Sequence, residues 1–271
     1  MNRLVSAVVQ LNSGADFESN LSIIDDALNG YVPNTLDIVL LPECFAMLGS
    51  SQVAFSAHSD EVMTWMSQTA KRLGCWLAGG SLPVSVHGSD KSYASCRVYS
   101  PEGKEVAVYN KMHLFDVDVS DNKGRYRESD DFEPGKEPVL VDIRKARIGL
   151  SICYDLRFPE LYRYLVNQGA SILTVPSAFT KVTGKAHWEA LLRARAIENQ
   201  CYVLAANQAG THPDGRQTYG RSMIISPWGE ILAEAPEEGV AVITAELDLE
   251  RLAEIRQQMP CLSHQQFNIT R

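Results

Sequence analysis

Three residues that could act together chemically each follow an apolar, strand-like run. Glu43 follows residues 37–41, Lys111 follows 105–110, and Cys153 follows 147–152. A thiol nucleophile needs a base to take its proton and a group to stabilise the oxyanion it creates. A carboxylate held near neutral pKa in a dry pocket can be that base. An ammonium favours the thiolate and the developing oxyanion, but it cannot accept a proton while charged. Singly, each residue has an ordinary explanation: Glu43 caps a helix, Lys111 is a solvated lysine, and Cys153 packs as a small buried hydrophobe. If the strands lie side by side, the three converge at strand carboxyl ends, where open α/β folds hold their chemistry.

The elements that must position these residues show as alternating periodicities. Short apolar runs at 4–11, 37–41, 75–81, 93–99, 105–110, 139–143, 147–152, 171–176 and 201–207 read as strands, as do 222–226, 230–235 and 240–246. Run 37–41 is continuously apolar, as expected of a strand buried on both faces. Helices are expected from an N-cap at Asp16 to Leu28 with Gly30 at C′, over 62–73 stopped by Gly74, and at 159–168, 187–199 and 249–259. Pro159 suits a first helical position and Glu160 the positive end of the helix dipole. Cys153 therefore falls in a strand-to-helix turn, a placement shared by other nucleophiles. Residues 112–138 are polar and long for a loop, which points to a cover over a site. Strands and helices interleave without a composition break, so one α/β domain over 1–271 is the simplest account.

Composition narrows the partners. The 271 residues carry a net charge of −8, which argues against a nucleic-acid or anionic-membrane partner. No apolar run approaches the roughly 20 residues of a membrane helix, and the opening MNRLVSAVVQLN lacks the features of a signal peptide. The six cysteines (Cys44, Cys75, Cys96, Cys153, Cys201, Cys261) contain no C-x-x-C pair, so neither a zinc site nor a disulfide framework is expected, and a reducing, cytoplasmic location fits. Gly79-Gly80 lacks the pattern of a phosphate loop. His113 and His187 read as structural, Cys201 as packing, and Lys104, Lys136 and the 144–147 cluster as solvated faces. Arg157 has two readings: a bidentate grip on a substrate carboxylate, or an ion pair with Asp155 or Glu160.

With LPECF around Glu43, YNKMHLFD around Lys111 and ICYDLRFPELYR around Cys153, the chain resembles the nitrilase (carbon–nitrogen hydrolase) superfamily over nearly its whole length. That resemblance implies an α-β-β-α sandwich that pairs into a four-layer-plus-four-layer homodimer or higher homo-oligomer. It implies a Glu–Lys–Cys site with no metal or organic cofactor. It maps a second glutamate onto Glu128, orienting Lys111 or the catalytic carboxylate, and places the Tyr154 N–H beside Lys111 in the oxyanion hole. The implied reaction is attack of Cys153 on an amide carbon, a thioester, and its hydrolysis. The segment from Cys153 to Gly210 looks most like deaminated glutathione amidases, with omega-amidases as the near alternative. In both, the position of Arg157 receives the carboxylate of a small 2-oxo acid amide, and Phe179 and Thr183 line the same pocket. The first group releases 2-oxoglutarate and cysteinylglycine; the second acts on 2-oxoglutaramate. A thiol redox sensor is the alternative from another class, disfavoured because it has no need of a hydrolytic base.

Overall fold

A computed structural model describes residues 2–121 and 124–267. In chain order, β1 (Arg3–Gln10), α1 (Phe17–Leu28), β2 (Ile38–Leu41), a single-turn α2 (Gln52–Phe55) and α3 (Ser59–Leu73) lead into β3 (Trp76–Ser85), β4 (Ser92–Tyr99) and β5 (Glu105–Asn110). A hairpin of β6 (Asp116–Asp118) and β7 (Arg125–Arg127) precedes β8 (Leu140–Ile143), β9 (Ala146–Leu150), a 3-10 turn at Cys153–Arg157, and α4 (Pro159–Asn167). Next come β10 (Ile172–Thr174), α5 (Lys181–Asn199), β11 (Tyr202–Ala205) and a second hairpin, β12 (Ala209–Thr211) with β13 (Gln217–Tyr219). The chain closes with β14 (Met223–Ile225), β15 (Ile231–Glu234), β16 (Ala241–Asp248) and α6 (Leu249–Gln258).

Two six-stranded sheets result, ordered β16-β1-β2-β3-β4-β5 and β15-β14-β11-β10-β9-β8. Each has a parallel centre, β1-β2-β3 in one and β9-β10-β11 in the other. Alternation along the strands decides what each face meets. Val8, Ile38, Leu40 and Ala78 of the first sheet share a core with Ile148, Leu150, Ile172 and Tyr202 of the second. The intervening Ala7, Val9, Val39, Leu41 and Leu77 pack on Leu21, Ile24 and Leu28 of α1 and on Val62, Met66, Ala70 and Leu73 of α3. Leu161 and Leu165 of α4 and Trp188 and Leu192 of α5 belong to the core of the second sheet. Each such side chain contributes about 1.5–3 kcal/mol when fully buried, which holds helices that would be marginal alone. The arrangement is the expected α-β-β-α sandwich.

The structure corrects three local expectations. Gly30 does not take a left-handed C′ conformation; α1 ends at Asn29, whose N–H donates to Asp26 O. Residues 112–138 are not irregular, because β6, β7 and a 3-10 turn at Glu128–Asp130 lie inside them. Residues 122–123 of that stretch, and 268–271 of the extended end, lie outside the described residues. Helix α5 begins at Lys181 rather than His187. Val182, Thr183 and Gly184 are weak helix formers, but Thr180 caps the helix by accepting from the Thr183 N–H. Gly184 is needed there, since a Cβ would stand 2.3 Å from the Tyr219 side chain.

Candidate active site

Glu43, Lys111 and Cys153 come from three different strand ends and meet between the sheets. Glu43 lies just beyond β2, in a turn where Cys44 has a φ of 55° and donates its N–H to Ser81 Oγ at 2.9 Å. Gly80 makes that turn possible, because a Cβ on it would stand 1.8 Å from Pro42 O. From the second sheet's side, Gln208 Nε2 donates to the carbonyl of Glu43 at 3.0 Å. Lys111 follows β5 directly. Its N–H donates to Ala94 O on β4, which carries the ladder one residue further and aims the side chain inward.

Cys153 opens the 3-10 turn beyond β9 with a φ of 47°, a left-handed conformation that costs a non-glycine residue energy and recurs at functional turns. Its N–H donates to Pro176 O at 2.8 Å. The turn is pinned by the fully buried Asp155, whose carboxylate accepts from the Ile152 N–H, the Tyr109 hydroxyl and the His113 backbone N–H. His113 Nδ1 is 2.7 Å from the same carboxylate, and the ring stacks on Phe158 at 3.7 Å. The proposed structural role of His113 thus has a visible partner.

Lys111 Nζ donates to Glu43 Oε1 at 2.8 Å and to both oxygens of Glu128 at 2.8 Å. Glu43 Oε2 accepts from the Ala178 N–H at 2.9 Å, and Glu128 Oε2 accepts from the Phe115 N–H at 2.6 Å. Both carboxylates are therefore fixed at two ends. Burial opposes the charge on Lys111, but Glu128, Glu43 and Cys153 outweigh it and hold its pKa well above the usual lysine value. Burial also raises Glu128, against the pull of Lys111. For Cys153, burial and then the Glu43 charge push the thiol well above its usual range, against Lys111 and the Ala178 N–H. The ammonium does favour a thiolate, as expected from its charge, yet burial dominates and the resting thiol keeps its proton. Glu43 is the carboxylate that acts on this thiol, by charge and by hydrogen bond.

A cavity of about 270 Å³ opens over this cluster. Tyr154, Arg157, Phe179 and Thr183 all line it, with Glu43, Lys111, Glu128 and Cys153. Tyr154 sits in the first turn of the 3-10 segment, where helical N–H groups have no intrahelical acceptor. The alternative ion pairs of Arg157 are absent among the described residues: Asp155 is engaged elsewhere, and Arg157 meets His187 Nδ1 at 3.3 Å and the Phe179 ring at 5.3 Å. Thr183 lies beside the α5 cap, its hydroxyl 2.9 Å from that of Thr180. The sequence did not single out Cys44, Ser81, Tyr126 or Arg216, which also line the cavity. Only the length of the 112–138 stretch, which carries Tyr126, hinted at one of them. Among the described residues, no group of three or more His, Cys, Asp or Glu side chains is placed to hold a metal ion.

Residues 6–257 match the family model described as carbon-nitrogen hydrolase. A relative from Yersinia enterocolitica named deaminated glutathione amidase is 40% identical over 267 residues, spanning 96% of this chain and 92% of its own. One from Danio rerio named omega-amidase NIT2 is 36% identical, over 96% of this chain and 94% of its own. Among solved structures, that of the C. elegans NitFhit protein superposes with a TM-score of 0.92 at 38% identity, over 99% of this chain and 67% of that one.

Proposed function

The chain belongs to the carbon–nitrogen hydrolase family, and from that premise we propose that it hydrolyses the amide of a 2-oxo dicarboxylic acid, deaminated glutathione foremost. The observation that carries the chemistry is the buried Lys111 ammonium held between Glu43 and Glu128 beside the Cys153 thiol, whose pKa burial and the Glu43 charge raise. In this reading Glu43 takes the thiol proton as Sγ attacks the amide carbon. Lys111 and the Tyr154 N–H receive the negative charge that develops on the amide oxygen. Glu43 then passes its proton to the leaving nitrogen, the C–N bond breaks, and an acyl thioester remains on Cys153. Glu43, again a carboxylate, draws a proton from water, whose oxygen attacks the thioester and restores the thiol.

Glu128 is a positioning residue in this scheme. It keeps Lys111 charged and fixed in direction, leaving Glu43 free to exchange a proton. Arg157 is the acyl-end anchor, gripping the 2-oxo carboxylate over Phe179 with Thr183 nearby. The name of the Yersinia relative supports deaminated glutathione as substrate, and the name of the Danio relative supports 2-oxoglutaramate as the alternative. The test is hydrolysis of both compounds, with Cys153→Ala as blank. A kcat/KM preference for deaminated glutathione bears the reading out. A preference for 2-oxoglutaramate replaces it with omega-amidase activity, and turnover of neither removes Arg157 from its assigned role.

Pairing of two copies is part of the same proposal. Half-exposed Val182 and Ile197 of α5 and Trp228 are apolar side chains on that side of the sandwich which a second copy would cover. No described helix is long and apolar enough to cross a membrane. The free state of all six cysteines fits a reducing, cytoplasmic setting.

A further inference from the structure

Three cations besides Arg157 line the cavity, and two of them are committed. Lys111 is held by Glu43 and Glu128. Arg127 donates to Asp118, to Val117 O and to its neighbour's carbonyl. Arg216 is the exception. It stands on the turn between β12 and β13, and its guanidinium lies 5.6 Å from the centroid of the Tyr126 ring. Among the described residues its Nε is buried without a hydrogen-bond partner. The nearest carboxylate, Asp214, is reached from Nη2 only at 3.5 Å, and its Oδ1 already accepts from the backbone N–H of Arg216. Asp214 thus shapes the turn and pairs with the guanidinium at 3.5 Å without a hydrogen bond to it.

The hairpin that carries Arg216 is anchored. His212, buried at its base, bridges Ser13 O at 2.9 Å and Thr218 Oγ1 at 2.7 Å. Arg216 acts electrostatically on the Cys44 thiol, next to Glu43, whereas Arg157 sits on the nucleophile's own turn against Phe179 and His187. One cavity thus presents two guanidinium groups on separate parts of its lining, neither hydrogen-bonded to a carboxylate among the described residues. A substrate whose acyl end is taken by Arg157 sends its leaving amine away from that anchor. Ammonia would make no use of Arg216; an amine that ends in a carboxylate would.

We propose that Arg216 receives the terminal carboxylate of the leaving amine, so that the substrate class is the amide of a 2-oxo dicarboxylate with an amino acid or short peptide bearing a free C-terminus. This rests on the amidase reading above and deepens it, by making Arg216 a specificity-determining residue at the leaving-group end. The Tyr126 ring, 5.6 Å away, favours the cation there, and a carboxylate would be received through the guanidinium's N–H groups.

The test uses the full chain and three substrates: deaminated glutathione, its terminal glycinamide counterpart, and 2-oxoglutaramate. Wild type should prefer the free acid over the terminal amide by about 10- to 100-fold in kcat/KM, mainly through KM, as a charge-assisted contact implies. In Arg216→Met that ratio should collapse towards one, and Arg216→Lys should restore part of it. The ratio is internal to each protein, so a general loss of folded enzyme does not move it. Equal use of acid and amide by wild type, or a ratio unchanged in Arg216→Met, overturns the role of Arg216 while leaving the deaminated glutathione reading intact. Turnover of 2-oxoglutaramate alone sinks that reading and this proposal together.

Discussion

At Cys153 the chemistry turns on a proton that the resting enzyme does not release. Burial and the Glu43 charge together outweigh the Lys111 ammonium, so the thiol waits protonated beside its intended base. This fits a hydrolase that should not be alkylated by every passing electrophile, since thiolate content governs such reactivity. Glu43→Gln keeps the side-chain shape but cannot take a proton. It should lower kcat by about 10²- to 10⁴-fold, the usual worth of a positioned base. Iodoacetamide should label Cys153 at least as fast as in wild type, read by mass spectrometry, because the variant removes the Glu43 charge that helps to keep the thiol protonated. Turnover within a few-fold of wild type would show that another group serves as base.

At the scale of elements, the site depends on how closely one strand passes another's exit. Strand β3 runs beneath the Pro42–Glu43 turn, and the approach is close enough that Gly80, with a φ of 22°, has three backbone atoms of Leu41 and Pro42 within 2.7 Å of where a Cβ would be. Backbone cannot swing aside as a side chain can. Gly80→Ala should therefore cost about 1–3 kcal/mol of stability through overpacking. It should also displace the Glu43 carboxylate from Lys111 and Ala178, lowering kcat in enzyme that is still folded. Activity measured below the onset of thermal unfolding separates the two effects; full activity there would mean that the turn absorbs the methyl group without moving Glu43. A glycine pair that has no phosphate to bind thus lets the turn that carries Glu43 sit against β3.

Across the whole molecule, the buried thiols set an alkaline limit. Burial raises Cys75 and Cys96 to about 12 and Cys201 to about 11, and raises Cys153 as well. A thiol raised in the folded state keeps its full stabilising effect below the unfolded pKa of about 8.5. Above that pH the unfolded chain loses protons that the folded chain retains, so stability falls by about 1.4 kcal/mol per pH unit for each such thiol. The urea midpoint should hold steady up to about pH 8 and then drop steeply over the next two units, more shallowly in Cys96→Ala. A midpoint unchanged to about pH 10 would mean that these thiols are better solvated than their burial implies.

Sequence by itself determined the strands that end at Glu43, Lys111 and Cys153, the helix opened by Pro159, and the set of chemical groups on offer. Each of these is written in local periodicity, capping or residue type, which contacts far along the chain do not alter. The family's fold followed from the three motifs. Tertiary structure decided the rest. Glu43 and Lys111 are 68 residues apart in the chain and 2.8 Å apart in space. Asp155 serves the nucleophile's turn rather than Arg157, and that choice depends on Tyr109 and His113 arriving from β5 and the loop beyond it. Hairpins β6–β7 and β12–β13 were unreadable because each is short and polar, with little apolar alternation to announce it. Their pairing is fixed by the sandwich they cover, and only there does Arg216 meet Tyr126 at the mouth of the cavity. Proximity between distant segments is a property of packing, and no local signal encodes it.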